Sequence, residues 1–307
     1  MADAACCAGT NASEPGGSVF PKEFAVEPAT AREAAVATLS AGPVTPADAA
    51  GWGDRALIMR SCLEDGRLVQ PDRPMVMLDE VYAAAALRSA ARTGPELVQA
   101  DAAGPEGEVW STYASAAGLR WRMVFAAWLR RSATITPASL SLGDGGGSAP
   151  VVAYSLDPIT LNPDTLRAQC FGESSPVRFE ASKTREEFAL WHFAPALGAS
   201  GWALLGQISR HWVPVWGRES APADPQRAGS RDGTGGAAGV VAINATAGAV
   251  VVTVVGEPGE RIALSFAPLG GAAGCRGGGA LKTVSLACAV GAGGRAVFSL
   301  PEMACEE

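Results

Sequence analysis

From residue 108 onward the chain follows a two-residue rhythm, and this restricts its fold more than any other feature. Between residues 119 and 129, Leu119, Trp121, Met123, Phe125 and Leu129 take one face of an extended strand, while Arg120, Arg122, Val124 and Trp128 take the other. Residues 108–113 are rich in β formers, and Gly118 turns the chain between the two segments. Residues 188–195 and 202–208 are predicted to form a second hairpin around Gly198-Ala199-Ser200-Gly201. The series continues through 240–244, 249–255, 261–266, 283–290 and 296–300. In it Ile262, Leu264 and Phe266 alternate inward, as do Val284, Leu286, Cys288 and Val290. Many short strands separated by turn signals predict an antiparallel sandwich.

The composition agrees with a loop-rich β protein. Of 307 residues, 37 are Gly and 21 Pro, and three Gly-rich stretches (143–149, 217–239, 270–280) read as surface loops. The formal net charge is −7 and no Lys/Arg run stands out, so nucleic acid is not an expected partner. The apolar runs are broken by Gly, Pro or charge, so a membrane span is not expected. Residues 1–17 carry no basic region followed by an apolar one, so a secretory leader is not expected either. The seven cysteines form no CxxC pair and only His192 and His211 are present, so no metal or other cofactor is expected. Cys275 and Cys288 are placed to meet across C-terminal strands; a buried free thiol at Cys288 is the other reading. Cysteine usage leaves the compartment undecided. Asn11-Ala12-Ser13 and Asn244-Ala245-Thr246 match the N-glycosylation sequon, which short motifs often do by chance.

The first part of the chain reads differently. Residues 1–28 are expected to be disordered. A helix is predicted from Pro28, with Thr30 and Glu33 as a capping box and Ala35, Val36 and Leu39 on its apolar face. Residues 40–44 stop it and extend the chain. Asp54 is placed to cap a second helix through about Glu64, with Leu57 and Ile58 inward and Gly66 as its stop. Helix, short strand, loop and helix form the local pattern of a β/α barrel's edge. The domain plan is therefore a disordered 1–28, an α/β segment at 29–80, and an antiparallel β domain at 81–307.

The motifs that carry a family likeness are Gly42-Pro43-Val44, Asp48, Gly51, Leu57-Ile58-Met59-Arg60, Asp65-Gly66-Arg67-Leu68, Pro71 and Pro74. Downstream they continue in Glu108-Val109-Trp110, Trp202-Ala203-Leu204-Leu205-Gly206 and Val213-Pro214-Val215. From about residue 35 to its end the chain resembles glycoside hydrolases of the α-galactosidase and raffinose synthase clan. The resemblance implies a mainly β fold: an antiparallel β-sandwich-like C-terminal domain preceded by a short α/β remnant of a (β/α)8 barrel. It also implies glycosidic bond cleavage or transfer by two aspartates, about 5–5.5 Å apart in a retaining enzyme. A barrel needs about 200 residues or more. Too little chain precedes Val44 to supply one, so the two aspartates have no counterpart here and independent catalysis is not expected.

The same resemblance places Asp48 and Trp52 on the sugar-binding rim. Their bland roles are a loop cap and local packing. Trp212 and Trp216, which flank Pro214, are the best candidates for stacking on a sugar face; the other strand tryptophans are expected in the core. Asp54, Glu64, Asp65, Asp72, Asp79 and Glu80 read as caps and solvated turns. His192, between Trp191 and Phe193, reads as a hydrogen-bonded histidine in an apolar strand. No GxSxG elbow or phosphate-cradling GxxxxGK[ST] is present. The expected partners are an oligosaccharide or a barrel-bearing glycosidase chain. The alternative is a carbohydrate-binding or protein-interaction β module. A third reading is a non-functional fragment, in which the apolar face of Val44, Leu57 and Ile58 is left open where a barrel would have covered it and solubility is poor.

Overall fold

A computed structural model describes residues 29–45, 53–64, 66–83, 107–141, 150–184, 187–216, 239–270, 275 and 279–307. The chain is mainly β with antiparallel sheets. Its elements are α1 (Thr30–Leu39), α2 (Arg55–Ile58), β1 (Val76–Met77), β2 (Glu108–Ala116), β3 (Leu119–Ala127), β4 (Ala133–Ile135) and α3 (Pro137–Ser141). There follow β5 (Pro150–Ser155), β6 (Arg167–Cys170), β7 (Val177–Phe179), β8 (Phe188–Pro195), β9 (Trp202–Gly206) and β10 (Gly239–Thr246). The chain closes with β11 (Ala249–Val255), β12 (Arg261–Pro268), β13 (Val284–Ala289), β14 (Arg295–Leu300) and β15 (Ala304–Glu306).

The strands form a six-stranded sheet in the order β1-β2-β3-β8-β5-β6, a four-stranded sheet β10-β11-β14-β15, a three-stranded sheet β13-β12-β9, and the pair β4-β7. The predicted hairpin at residues 108–129 is present. Glu108 pairs with Ala127 and Ala116 with Leu119, around Ala117-Gly118, whose φ values are both positive. That is the backbone a two-residue hairpin loop needs to match strand twist. Alternation holds within β3, where Trp121, Met123 and Phe125 enter the main core. On the opposite face Val124 and Ala126 enter a second one with Ile135, Phe179 and Phe193. The six-stranded sheet is thus covered on both faces, with the β4-β7 pair on the second. Past the end of β3 the alternation fails: Leu129 joins the second core instead of the main one, and Trp128 is exposed.

The main core joins the larger sheets. Val250, Val252 and Val254 of β11, Ile262, Leu264 and Phe266 of β12, and Ala296, Phe298 and Leu300 of β14 are all buried in it. Ala35, Leu39, Leu57, Leu63 and Val69 belong to it as well. Residues on both sides of the expected boundary at 80/81 therefore share one core.

Several expectations need correction. The strands at 188–195 and 202–208 are consecutive but do not pair. β8 is taken on both edges by β3 and β5, so β9 crosses to another sheet and pairs with β12. The capping box at Thr30 does not form. Ala29 is the N-cap, and the Glu33 carboxylate turns to the Arg32 guanidinium at 2.8 Å. Asp54 does cap α2, its Oδ1 accepting from the Leu57 N–H at 3.1 Å. The helix nevertheless ends at Ile58, because Cys62 then pairs with Leu68 across a reversed turn. Gly66 stops that turn instead, at φ 81°. Leu57 is buried in the main core with the β sheets, and Val44 and Ile58 are half-buried, so the expected apolar face is only partly open.

The cysteines also pair otherwise than expected. Cys170 is bonded to Cys275, and Cys288 to Cys305. Cα separations of 5.4 and 5.9 Å lie in the range a disulfide spans. The expected disorder of 1–28 and most of the three Gly-rich stretches lie outside the described residues.

Candidate functional site

The sequence candidates separate. Asp48, Trp52 and Asp65 lie outside the described residues. Trp212 and Trp216 are brought together, but inward: they are 0 % and 8 % exposed. A stacking platform needs an open ring face, and neither indole offers one here. The alternation rule missed this because residues 207–216 are not a strand. The segment folds back after β9, with the Gln207 N–H donating to the Pro214 carbonyl at 2.7 Å.

What these tryptophans touch defines the site. Arg60, just after α2, lies over the Trp212 ring at 5.5 Å from its centroid. Trp212 Nε1 donates to the Pro158 carbonyl at 3.1 Å, and Arg60 Nη1 reaches the same oxygen at 3.5 Å. Burial lowers Arg60 below its ordinary value, partly offset by Asp54 and Asp157. His211, the residue before Trp212, contacts the Arg60 carbonyl through Nδ1 at 3.2 Å and meets Trp216 edge-on at 5.0 Å. Behind them His192 contacts the Trp212 carbonyl through Nε2 at 2.9 Å and stacks on Tyr154. The Tyr154 hydroxyl donates to the Leu205 carbonyl at 2.7 Å.

At the rim, Arg210 bridges two carboxylates, with Nη2 at 3.0 Å from Glu64 and Nη1 at 3.2 Å from Glu260. Glu64 also meets Arg55 at 3.0 Å. Only Glu64 was visible from sequence as a candidate. Glu260 and Arg210 carry no spacing signal, since Arg210 is 146 residues from Glu64 and 50 from Glu260.

Both histidines are held neutral at pH 7. Burial pushes His192 down to about 4. Burial and the Arg210 charge push His211 down to about 3. The carboxylates at the rim are engaged by guanidinium groups. The arrangement is a clamp that fastens residues 54–64 to the sheets, and it offers no nucleophile–base pair. Asp72, Asp79 and Glu80 lie elsewhere. Glu80 accepts from the Ser139 hydroxyl at 3.1 Å, beside an open hollow of about 210 Å³ floored by Leu78, Val109, Leu129 and Ile135. Among the described residues no group of three or more His, Cys, Asp or Glu is arranged to hold a metal. No helix among them is long and apolar enough to cross a membrane.

No family model matches the chain, and no curated protein matches it significantly.

Proposed function

We propose that the chain is a glycoside-hydrolase-related β module of the α-galactosidase and raffinose synthase type that supplies no catalytic carboxylate pair of its own. In this reading the four-stranded and three-stranded sheets are the two layers of the family's C-terminal sandwich. Residues 29–80 are the last piece of barrel, and the module's work is to brace a barrel rather than cleave sugar. One observation supports it most. Two of the stretches that carry the resemblance, 57–74 and 202–215, are about 130 residues apart in the chain yet meet in space through Arg60 and Trp212. A module that braced a barrel would need this seam.

Kinship and inactivity are tested separately. Superposing the sheets β10-β11-β14-β15 and β13-β12-β9 on the C-terminal domain of an α-galactosidase-clan enzyme tests the first. The same strand order is expected, and a different order overturns the reading. Incubating the folded chain with aryl α-galactosides and raffinose-type oligosaccharides tests the second. No sugar release is expected; release that scales with the amount of chain contradicts it.

A further inference from the structure

We propose that Asn244 is an N-glycosylation site and that the chain therefore passes through an oxidising, glycosylating compartment. A sequon alone would not carry this, since Asn-x-Ser/Thr is common by chance. Its placement does. Asn244 lies on β10, and its strand partner is Val251. The buried members of β11 are Val250, Val252 and Val254, so Val251 and Asn244 face away from the core. Side chains two apart in a strand share a face, so Thr246 faces outward with Asn244, and both are exposed. The acceptor amide and the hydroxyl that a glycosyl transferase reads are therefore presented together, directly before a tight hairpin turn at Ala247-Gly248.

Two further features agree. Among the described residues β10 is an edge strand of its sheet, and a sheet edge invites pairing with another chain. A bulky, hydrated glycan beside that edge would block it. Independently, four of the cysteines are paired, Cys170 with Cys275 and Cys288 with Cys305, which is the state of thiols in secretory compartments and not of a reducing cytosol. In the transfer, Asn244 Nδ2 bonds to the anomeric carbon of a lipid-pyrophosphate-linked oligosaccharide. The carbon–oxygen bond to pyrophosphate breaks, the lipid pyrophosphate leaves, and the amide nitrogen gives up one proton. The proposal runs against the expectation drawn from residues 1–17, and experiment decides between them.

The full chain is isolated from the cells that make it and treated with peptide N-glycosidase in H₂¹⁸O, which leaves ¹⁸O-labelled Asp wherever a glycan stood. Label at position 244 is expected, together with a drop in mass. Glycan loss in Asn244→Gln and Thr246→Ala, with retention in Thr246→Ser, is also expected. An unmodified Asn244, or label at Asn11 alone, overturns the proposal. Both substituted positions are exposed, so the variants keep the fold and the comparison stays interpretable.

Discussion

Arg60 and Trp212 stand face to face across the seam between the α/β segment and the sheets, and both reach the carbonyl oxygen of Pro158. The pair does two jobs. The indole fills a fully buried position, and the guanidinium, drawn partly out of water, gains the attraction of the ring face. The first prediction follows from this division. Trp212→Ala should cost about 3–5 kcal/mol through the cavity it leaves. Trp212→Phe, which keeps most of the volume but loses the N–H, should cost nearer to ~1 kcal/mol. Denaturant titration of the variants checks the order; equal, negligible losses would mean that Trp212 is not a strut.

The buried histidines make stability depend on pH in a definite direction. Both are pushed below the ordinary value of 6.5, to about 4 for His192 and about 3 for His211. Between those values and 6.5 the unfolded chain binds more protons than the folded one, so stability is full above 6.5 and falls as the pH drops towards 4 and then 3. The full loss is roughly 3 kcal/mol for His192 and roughly 5 for His211. His192→Asn and His211→Asn should each flatten the acid limb of a plot of unfolding free energy against pH. A limb of unchanged slope in both variants would contradict the assignment.

The cross-links allow a direct chemical check. Non-reducing peptide mapping should recover Cys170 with Cys275 and Cys288 with Cys305. Cys170→Ser opens a loop of 105 residues and should lower stability by about 4–5 kcal/mol, and Cys305→Ser, with a separation of 17, by about 3 kcal/mol. Recovery of a Cys275–Cys288 peptide would contradict the observed pairing.

Two glycines with similar backbones should respond differently. Gly118 and Gly206 have φ values of 75° and 86°. A side chain at Gly118 would meet open space, whereas one at Gly206 would run into the Pro214 carbonyl and the Val215 side chain. Gly118→Ala should therefore cost only the left-handed backbone penalty of about 1–2 kcal/mol. Gly206→Ala should cost clearly more and shift the melting temperature further. The reverse order would show that residues 207–216 do not pack back on β9.

How far the sequence disclosed this arrangement depends on the range of the forces. Strands with one buried face announced themselves by alternation, as in Ile262, Leu264 and Phe266, all buried. The β2–β3 hairpin was visible because its turn is two residues long. Partner choice was not visible: β8 and β9 look like a hairpin, and only the presence of β3 and β5 on both edges of β8 sends β9 elsewhere. The short strands β4, β6, β7 and β15 carry too few residues for a period to show. The clamp was the least legible part. Glu64, Arg210 and Glu260 come from distant stretches, and Trp212 and Trp216 read as surface aromatics because Pro214 between them suggested a loop. Their burial follows from the fold-back on Pro214, which no local pattern encodes.

The central structural claim is that residues 54–74 and the β sheets form one cooperative unit fastened at Arg60 and Trp212. Native-state hydrogen exchange tests it most directly. The Leu63 and Val69 amides, bonded to the Arg67 and Ser61 carbonyls, should exchange only with global unfolding, at the same opening free energy as the amides of Met123 in β3 and Leu264 in β12. Exchange of Leu63 and Val69 through a separate opening of markedly lower free energy, with Met123 and Leu264 still protected, would contradict the claim.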